Sequence, residues 1–198
     1  HLGAEGELSA EDLASVVPRA DDYVYVSGYS LLLDGKAQPL IDWLLALPRA
    51  IAVVFDPGPL VKAPDSALMR ALLPRIDIWT SNGPEAVAFT GAVDIAKALL
   101  ALNQHLPAET LRVVRDGPKG CWVGRANALE HVPGFKVQAV DSNGAGDAHA
   151  GVFIAGLANG LNALDAARRA NAAAALAVTR WGPATSPGTA EVDALLAD

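Results

Sequence analysis

Three short stretches of the chain put polar residues at spacings that could do chemistry. The first is Gly144-Ala145-Gly146-Asp147, inside DSNGAGDAHAGVF. Glycine lets successive backbone N–H groups turn outward. A helical pattern begins at once, adding its unpaired N–H groups and the positive end of its dipole. Together they make an anion site suited to a phosphoryl group whose charge grows during transfer. Asp147 sits at its lip and has three readings. It can cap the helix, a contribution of about 1 kcal/mol. It can read a dinucleotide ribose. Or it can accept a proton from a hydroxyl attacking phosphorus, commonly worth about 10²–10⁴ in rate. The ribose reading needs Gly-x-Gly-x-x-Gly, and position 149 is His149. Asp165 lies near the right distance for a ribose-binding acid but falls in a helical pattern and not at a strand end. No Walker A sequence is present.

The second stretch is SNGPEA. Asn82 and Glu85 are three apart at a strand-to-helix junction. Asn82 can hydrogen-bond phosphate and Glu85 can hold Mg²⁺ through water, since magnesium keeps much of its hydration shell. A plain capping box gives the same pattern. The third stretch, RDGPKG, places Gly117 and Gly120 around a turn between two β-type runs. It reads as an ordinary hairpin or as a loop beside a nucleotide, with Lys119 reaching phosphate or solvent. The four histidines, His1, His105, His131 and His149, lack metal-ligand spacing. His149 is expected to pack in the first turn of its helix. Cys121, the one cysteine, reads as a small buried hydrophobe.

The elements that must position these residues follow from the apolar pattern. Strands are expected at 23–28, in AIAVVFD, in IDIWTSN, in TLRVVRDGPKGCWVG and in NALEHVPG. The last two stretches look like an antiparallel edge. Helices are expected at SAEDLASVV (Ser9 as N-cap, Asp12 completing its box), AQPLIDWLLAL and SALMRALLP. Further ones are GPEAVAFTG running on into AVDIAKALLALNQHL, AHAGVFIAGLANG, a long Ala-rich helix closing near Gly182, and TAEVDALLA. Strands alternating with helices predict a single α/β domain over 1–198, with a mostly parallel sheet covered on both faces. Ligands bind such sheets beyond the strands' carboxyl ends. Asp56, Asn82 with Glu85, and Asp116 to Gly120 fall there.

The 198 residues are 52% hydrophobic and 19% charged, as expected of a folded globular chain. A net charge of -7 argues against nucleic acid or an anionic membrane as partner. The lone cysteine, with no apolar run long enough to span a bilayer, suits a cytoplasmic setting.

Taken in order, these pieces resemble the ribokinase-like, or PfkB, family of carbohydrate kinases. DSNGAGD is similar to that family's Asp-Thr-x-Gly-Ala-Gly-Asp signature, NGPE to its Asn-x-x-Glu motif, and RDGPKGCWV to its Gly-x-x-Gly nucleotide loop. RRANAAAALAVTRWGPATSP resembles its final helix and adenine-side loop. Ser142 and His149 stand where Thr and Phe are commoner. The resemblance implies a three-layer α/β/α fold. It implies Asp147 as catalytic base, with Gly144, Ala145 and Gly146 as anion hole. It puts Asn82 on the nucleotide phosphates and Arg115, Asp116, Gly117, Lys119 and Gly120 along the nucleotide site. Asn171 falls beside the adenine, Glu85 at Mg²⁺, and Asp141 and Asn143 at a monovalent cation such as K⁺, with loop 182–186 contributing. The start, GAEGELSAEDL, resembles a point well into the family pattern, so the sugar-contact strands and the lid region are expected to be absent. The expected activity is transfer of the γ-phosphoryl of ATP to a hydroxyl of a sugar, sugar-like or nucleoside substrate, with a homodimer expected of the full-length form. The alternative is a non-catalytic nucleotide-binding module of the same fold.

Overall fold

The computed structural model describes residues 9–31, 37–59 and 66–197, which include every candidate site residue. The opening GAEGEL lies outside the described residues. Along the described chain the helices are α1 Ala10–Ala14, α2 Ala37–Ala46, α3 Ala67–Leu72, α4 Gly83–Thr90, α5 Ile95–Ala101, α6 Ala145–Ala158, α7 Ala163–Ala177 and α8 Thr189–Ala197. The strands are β1 Tyr23–Ser27, β2 Ala52–Asp56, β3 Ile78–Asn82, β4 Leu111–Arg115, β5 Gly120–Arg125 and β6 Ala128–Pro133. They form one sheet in the order β1-β2-β3-β4-β5-β6.

The chain divides into two compact units. One comprises residues 1–112 with 125–127, the other 113–124 with 128–198. No linker marks the division, which passes through β4.

In the first unit β1, β2 and β3 are parallel, with Val26 opposite Phe55 and Phe55 opposite Trp79. Val53–Asp56 of β2 and Ile78–Ser81 of β3 are buried without alternation, the pattern of strands covered on both faces. Phe55, Trp79 and Phe89 form a tilted stack, with centroids 5.7 and 4.7 Å apart. The Trp79 indole N–H donates to the Ser81 hydroxyl at 3.0 Å, so this large ring is buried with its polar atom paired. Buried Arg75 donates to the Ile51 carbonyl and to Asp77, whose carboxylate also accepts the Val53 N–H. That charge pair fixes where β2 and β3 begin.

Two expectations change here. Helix α1 ends at Ala14, not Val17, because Pro18 disfavours helical geometry in the residue before it. The run 83–105 breaks into α4 and α5. Gly91 takes φ 68 as a left-handed cap, and Asp94 starts α5 by accepting the Lys97 N–H at 2.8 Å.

Strands β4–β5 and β5–β6 are joined by four and two residues (116–119 and 126–127), too few for a parallel crossover, so both pairs are antiparallel. Strand β6 is mostly exposed. Helices α6 and α7 pack closely because α7 is rich in buried methyl groups: Ala166, Ala170, Ala173 and Ala177 recur at helical spacing and are buried. A Cβ at Gly156 of α6 would lie 3.0 Å from that of Ala166. Helix α7 stops at Ala177 and not near Gly182. The carbonyl of the next residue, Val178, accepts the N–H groups of Val140 and Asp141. Among the described residues no helix is long and apolar enough to cross a membrane.

Candidate active site

Helix α6 opens on Gly144, which has φ 75 and no side-chain cap. Its conformation and its surroundings both demand glycine: a Cβ there would sit 1.9 Å from the Pro183 carbonyl oxygen. The carboxylate of Asp141 secures that approach by accepting the Gly182 N–H and the Asn143 N–H, both at 3.0 Å. These bonds hold its carboxyl below the usual carboxylate range, the Asn143 N–H most of all. The Ala145 N–H turns back to the Ser142 carbonyl. The N–H groups of Gly146 and Asp147 meet no acceptor among the described residues. Beside them lies the guanidinium of Arg115, 3.6 Å from where a Gly146 side chain would begin. The start of α6 thus presents two N–H groups without an acceptor among the described residues, with the Arg115 guanidinium at its edge.

Asp147 is the third residue of α6, and in other helices an acid at that place completes the cap. Asp12 accepts the Ser9 N–H at 2.9 Å and Glu85 the Asn82 N–H at 2.7 Å. Glu191 accepts the Gly188 N–H at 2.9 Å, and Asp165 takes the Asn162 amide at 2.7 Å. Asp147 is exposed and makes no hydrogen bond or ion pair among the described residues. Its carboxylate is spared from capping.

In the first unit, the SNGPEA junction is a full capping box. The Asn82 side-chain oxygen accepts the Glu85 N–H at 2.8 Å while a Glu85 oxygen accepts the Asn82 N–H. Cap and ligand are compatible, since Asn82 keeps its side-chain N–H groups. Asp56 and Asn82 end adjacent parallel strands, as the strand-end reading requires. Among the described residues no group of three or more His, Cys, Asp or Glu side chains could hold a metal by itself. A divalent ion here would need oxygens from phosphate and water as well.

The RDGPKG turn is closed by Asp116 N–H donating to the Gly120 carbonyl at 2.7 Å and by a Lys119–Asp116 ion pair at 3.4 Å. Gly120, at φ 106, has no room for a side chain: a Cβ would lie 2.1 Å from the Val132 carbonyl oxygen. Lys119 is exposed, so its bond to Asp116 contributes little.

Asn171 lies in the middle of α7. It is 5% exposed and gives its amide hydrogens to the carbonyls of Val132 (3.0 Å) and Pro133 (3.2 Å), leaving no N–H for a nucleobase. Its oxygen faces Nε2 of His149 at 3.1 Å. His149 is 2% exposed, and burial, with Arg115 adding its charge, pushes it down to about 3. Sequence reasoning put His149 in the first turn without its partner, because the two residues lie on different helices. Cys121 is buried and inert, its thiol pushed up to about 12 by burial.

An anion nest that opens a helix, with an acid left free beside it, is suited to holding a phosphoryl group. The chain belongs to the pfkB family of carbohydrate kinases, whose pattern matches residues 2–190. It is 30% identical over 193 residues to the uncharacterized sugar kinase YegV of Escherichia coli, covering 96% of this chain and 59% of that protein. It is 34% identical over 146 residues to the ribokinase of Haemophilus influenzae, covering 72% of this chain and 46% of the relative. A fructokinase from Vibrio cholerae, solved with fructose, ADP and calcium, superposes with TM-score 0.80 at 26% identity, over 96% of this chain and 64% of its own. The fold is accordingly three-layer α/β/α. The chain spans about half to two thirds of the length of these relatives.

Proposed function

We propose that this chain carries the phosphoryl-transfer centre of an ATP-dependent carbohydrate kinase, with Asp147 as general base. The observation that carries the reading is the state of Asp147. It is the helix-start acid that no cap consumes, and it stands beside unpaired N–H groups and a guanidinium. Asp147 accepts the proton of a substrate hydroxyl as that oxygen bonds the γ-phosphorus and the bond from phosphorus to the β,γ-bridging oxygen breaks, releasing ADP. The N–H groups of the 144–147 turn that meet no acceptor among the described residues, those of Gly146 and Asp147, with Arg115, stabilise charge gathering on the transferring group.

Asn82 binds nucleotide phosphate through its remaining side-chain N–H groups. Arg115 to Gly120 line the nucleotide. Glu85 orients the water shell of Mg²⁺, which when bound neutralises phosphate charge. Asp141 and Asn143, with loop 182–186, fit a monovalent cation such as K⁺: the Asp141 oxygens each hold one N–H and keep a lone pair. The substrate is a sugar or a sugar-like hydroxyl compound.

The test is Asp147→Asn in the intact protein, assayed for ATP-dependent phosphorylation of a sugar and nucleoside panel. The expected result is a fall in kcat of about 10²–10⁴ with ATP affinity nearly kept. Unchanged turnover removes Asp147 from the mechanism. ATP binding without transfer to any acceptor points instead to a nucleotide-binding module.

A further inference from the structure

The pairing of His149 with Asn171 has geometry that allows one protonation state. Both amide hydrogens of Asn171 are committed to the carbonyls of Val132 and Pro133, so its Oδ1 must face His149 and can only accept. Nε2 of His149 therefore carries the hydrogen. Nδ1 has no partner and is buried. A neutral Nε2–H ring leaves only a bare lone pair there, whereas an imidazolium would strand an N–H, the costlier orphan.

The consequence lies at the other end of the chain of bonds. Val132 and Pro133 close β6, and their carbonyls sit beneath the 117–120 turn. The Val132 carbonyl presses against Gly120, and the next residue, Gly134, donates to the Lys119 carbonyl at 3.0 Å. His149 stands two residues past Asp147 on α6. One polar pair thus ties the helix that bears the acid, through α7, to the strand end that supports the turn.

We propose that His149 and Asn171 are positioning residues that set the place of the 117–120 turn relative to Asp147, and so the affinity for the nucleotide, through a locked neutral Nε2–H imidazole. This rests on the phosphotransferase reading of the same site. The alternative role is that of a satisfied polar pair in the core, and the two roles separate on nucleotide affinity.

The experiment uses the intact protein with ATP as probe. His149→Phe keeps a ring beside Phe153, with which His149 stacks at 6.5 Å, and removes the bond. His149→Gln keeps an N–H donor. Asn171→Ser removes the bridge and leaves the ring. Expected are a rise in KM for ATP of about five- to tenfold in His149→Phe and Asn171→Ser, the size of one lost hydrogen bond. Their kcat at saturating ATP should stay near the parent value, and His149→Gln should recover most of the affinity. Nitrogen NMR of the parent should show a protonated Nε2 and a bare Nδ1. Parent-like KM in both disrupting variants overturns the proposal. So does a charged or Nδ1–H ring, or the failure of both variants to fold, since a pair that only positions a turn is dispensable to the core. If the parent itself binds no ATP, the phosphotransferase reading fails and takes the positioning role with it; the ring's protonation state is still read directly.

Discussion

Replacing Gly144 by alanine separates a glycine required by its surroundings from one required by a motif. At φ 75 a side chain costs about 1–2 kcal/mol from backbone sterics alone. The new Cβ would also lie 1.9 Å from the Pro183 carbonyl oxygen, 2.8 Å from its carbon and 3.1 Å from the Pro183 Cα. All three are backbone atoms, so no rotamer change relieves them. The loop must move by about 1 Å or more, at an overpacking cost of about 1–3 kcal/mol. The sum is about 2–5 kcal/mol. For a chain of this length that lowers Tm by about 5–15 °C. Gly146→Ala is the control. Its Cβ would meet only the end of the Arg115 side chain, at 3.6 Å, and alanine suits a helix better than glycine by about 0.5–1 kcal/mol. Its Tm should equal or exceed the parent's. Differential scanning calorimetry on the two variants and the parent decides it. A Gly144→Ala protein that melts within about 1 °C of the parent and binds ATP equally refutes the argument that the Pro183 carbonyl shapes the nest.

Gly120→Ala, at φ 106 and 2.1 Å from the Val132 carbonyl oxygen, should weaken ATP binding by at least about tenfold as the 117–120 turn shifts, read by calorimetry. Cys121 should resist iodoacetamide at pH 8 in the native protein and react fully in denaturant, because its thiol titrates near 12 when folded; fast labelling of native protein contradicts its burial. His149 titrates at about 3 folded against 6.5 unfolded, so between those values the unfolded chain holds the extra proton. Its contribution is complete above pH 6.5 and is lost on acidification toward 3, at about 1.4 kcal/mol per pH unit, and His149→Phe should remove that part of the slope in urea titrations.

Much of this fold was legible because the deciding interactions are local. The unbroken apolar runs of β2 and β3 announce covered strands, and Ser9-x-x-Asp12 closes as the capping box it spells. What stayed hidden depends on backbone choices the residue types leave open or on contacts distant in sequence. Gly91 ends α4, yet as a lone glycine in a helical pattern it reads equally as a tolerated interior residue. Nothing in AVTRWG foretells that the Val178 carbonyl is claimed by residues 140 and 141, which is what ends α7. The clearest case is Asp147. Asp12, Glu85, Asp165 and Glu191 occupy the same place in their helices, and only coordinates separate the acids bound in caps from the one left open. Asn171 was visible as a polar residue in an alanine run, but its amide is spent on a strand end 38 and 39 residues earlier.

The contact between Gly144 and Pro183 also has a bearing on biosynthesis. The motif Gly-Ala-Gly-Asp leaves the ribosome complete by residue 147, but the carbonyl around which Gly144 is shaped, and the Gly182 N–H that steadies Asp141, arrive only after the whole of α7. A nascent chain, or one cut anywhere inside α7, carries the full motif and lacks the clasp that forms the nest. Phosphate affinity should therefore switch on late in elongation, when residue 183 has cleared the exit tunnel.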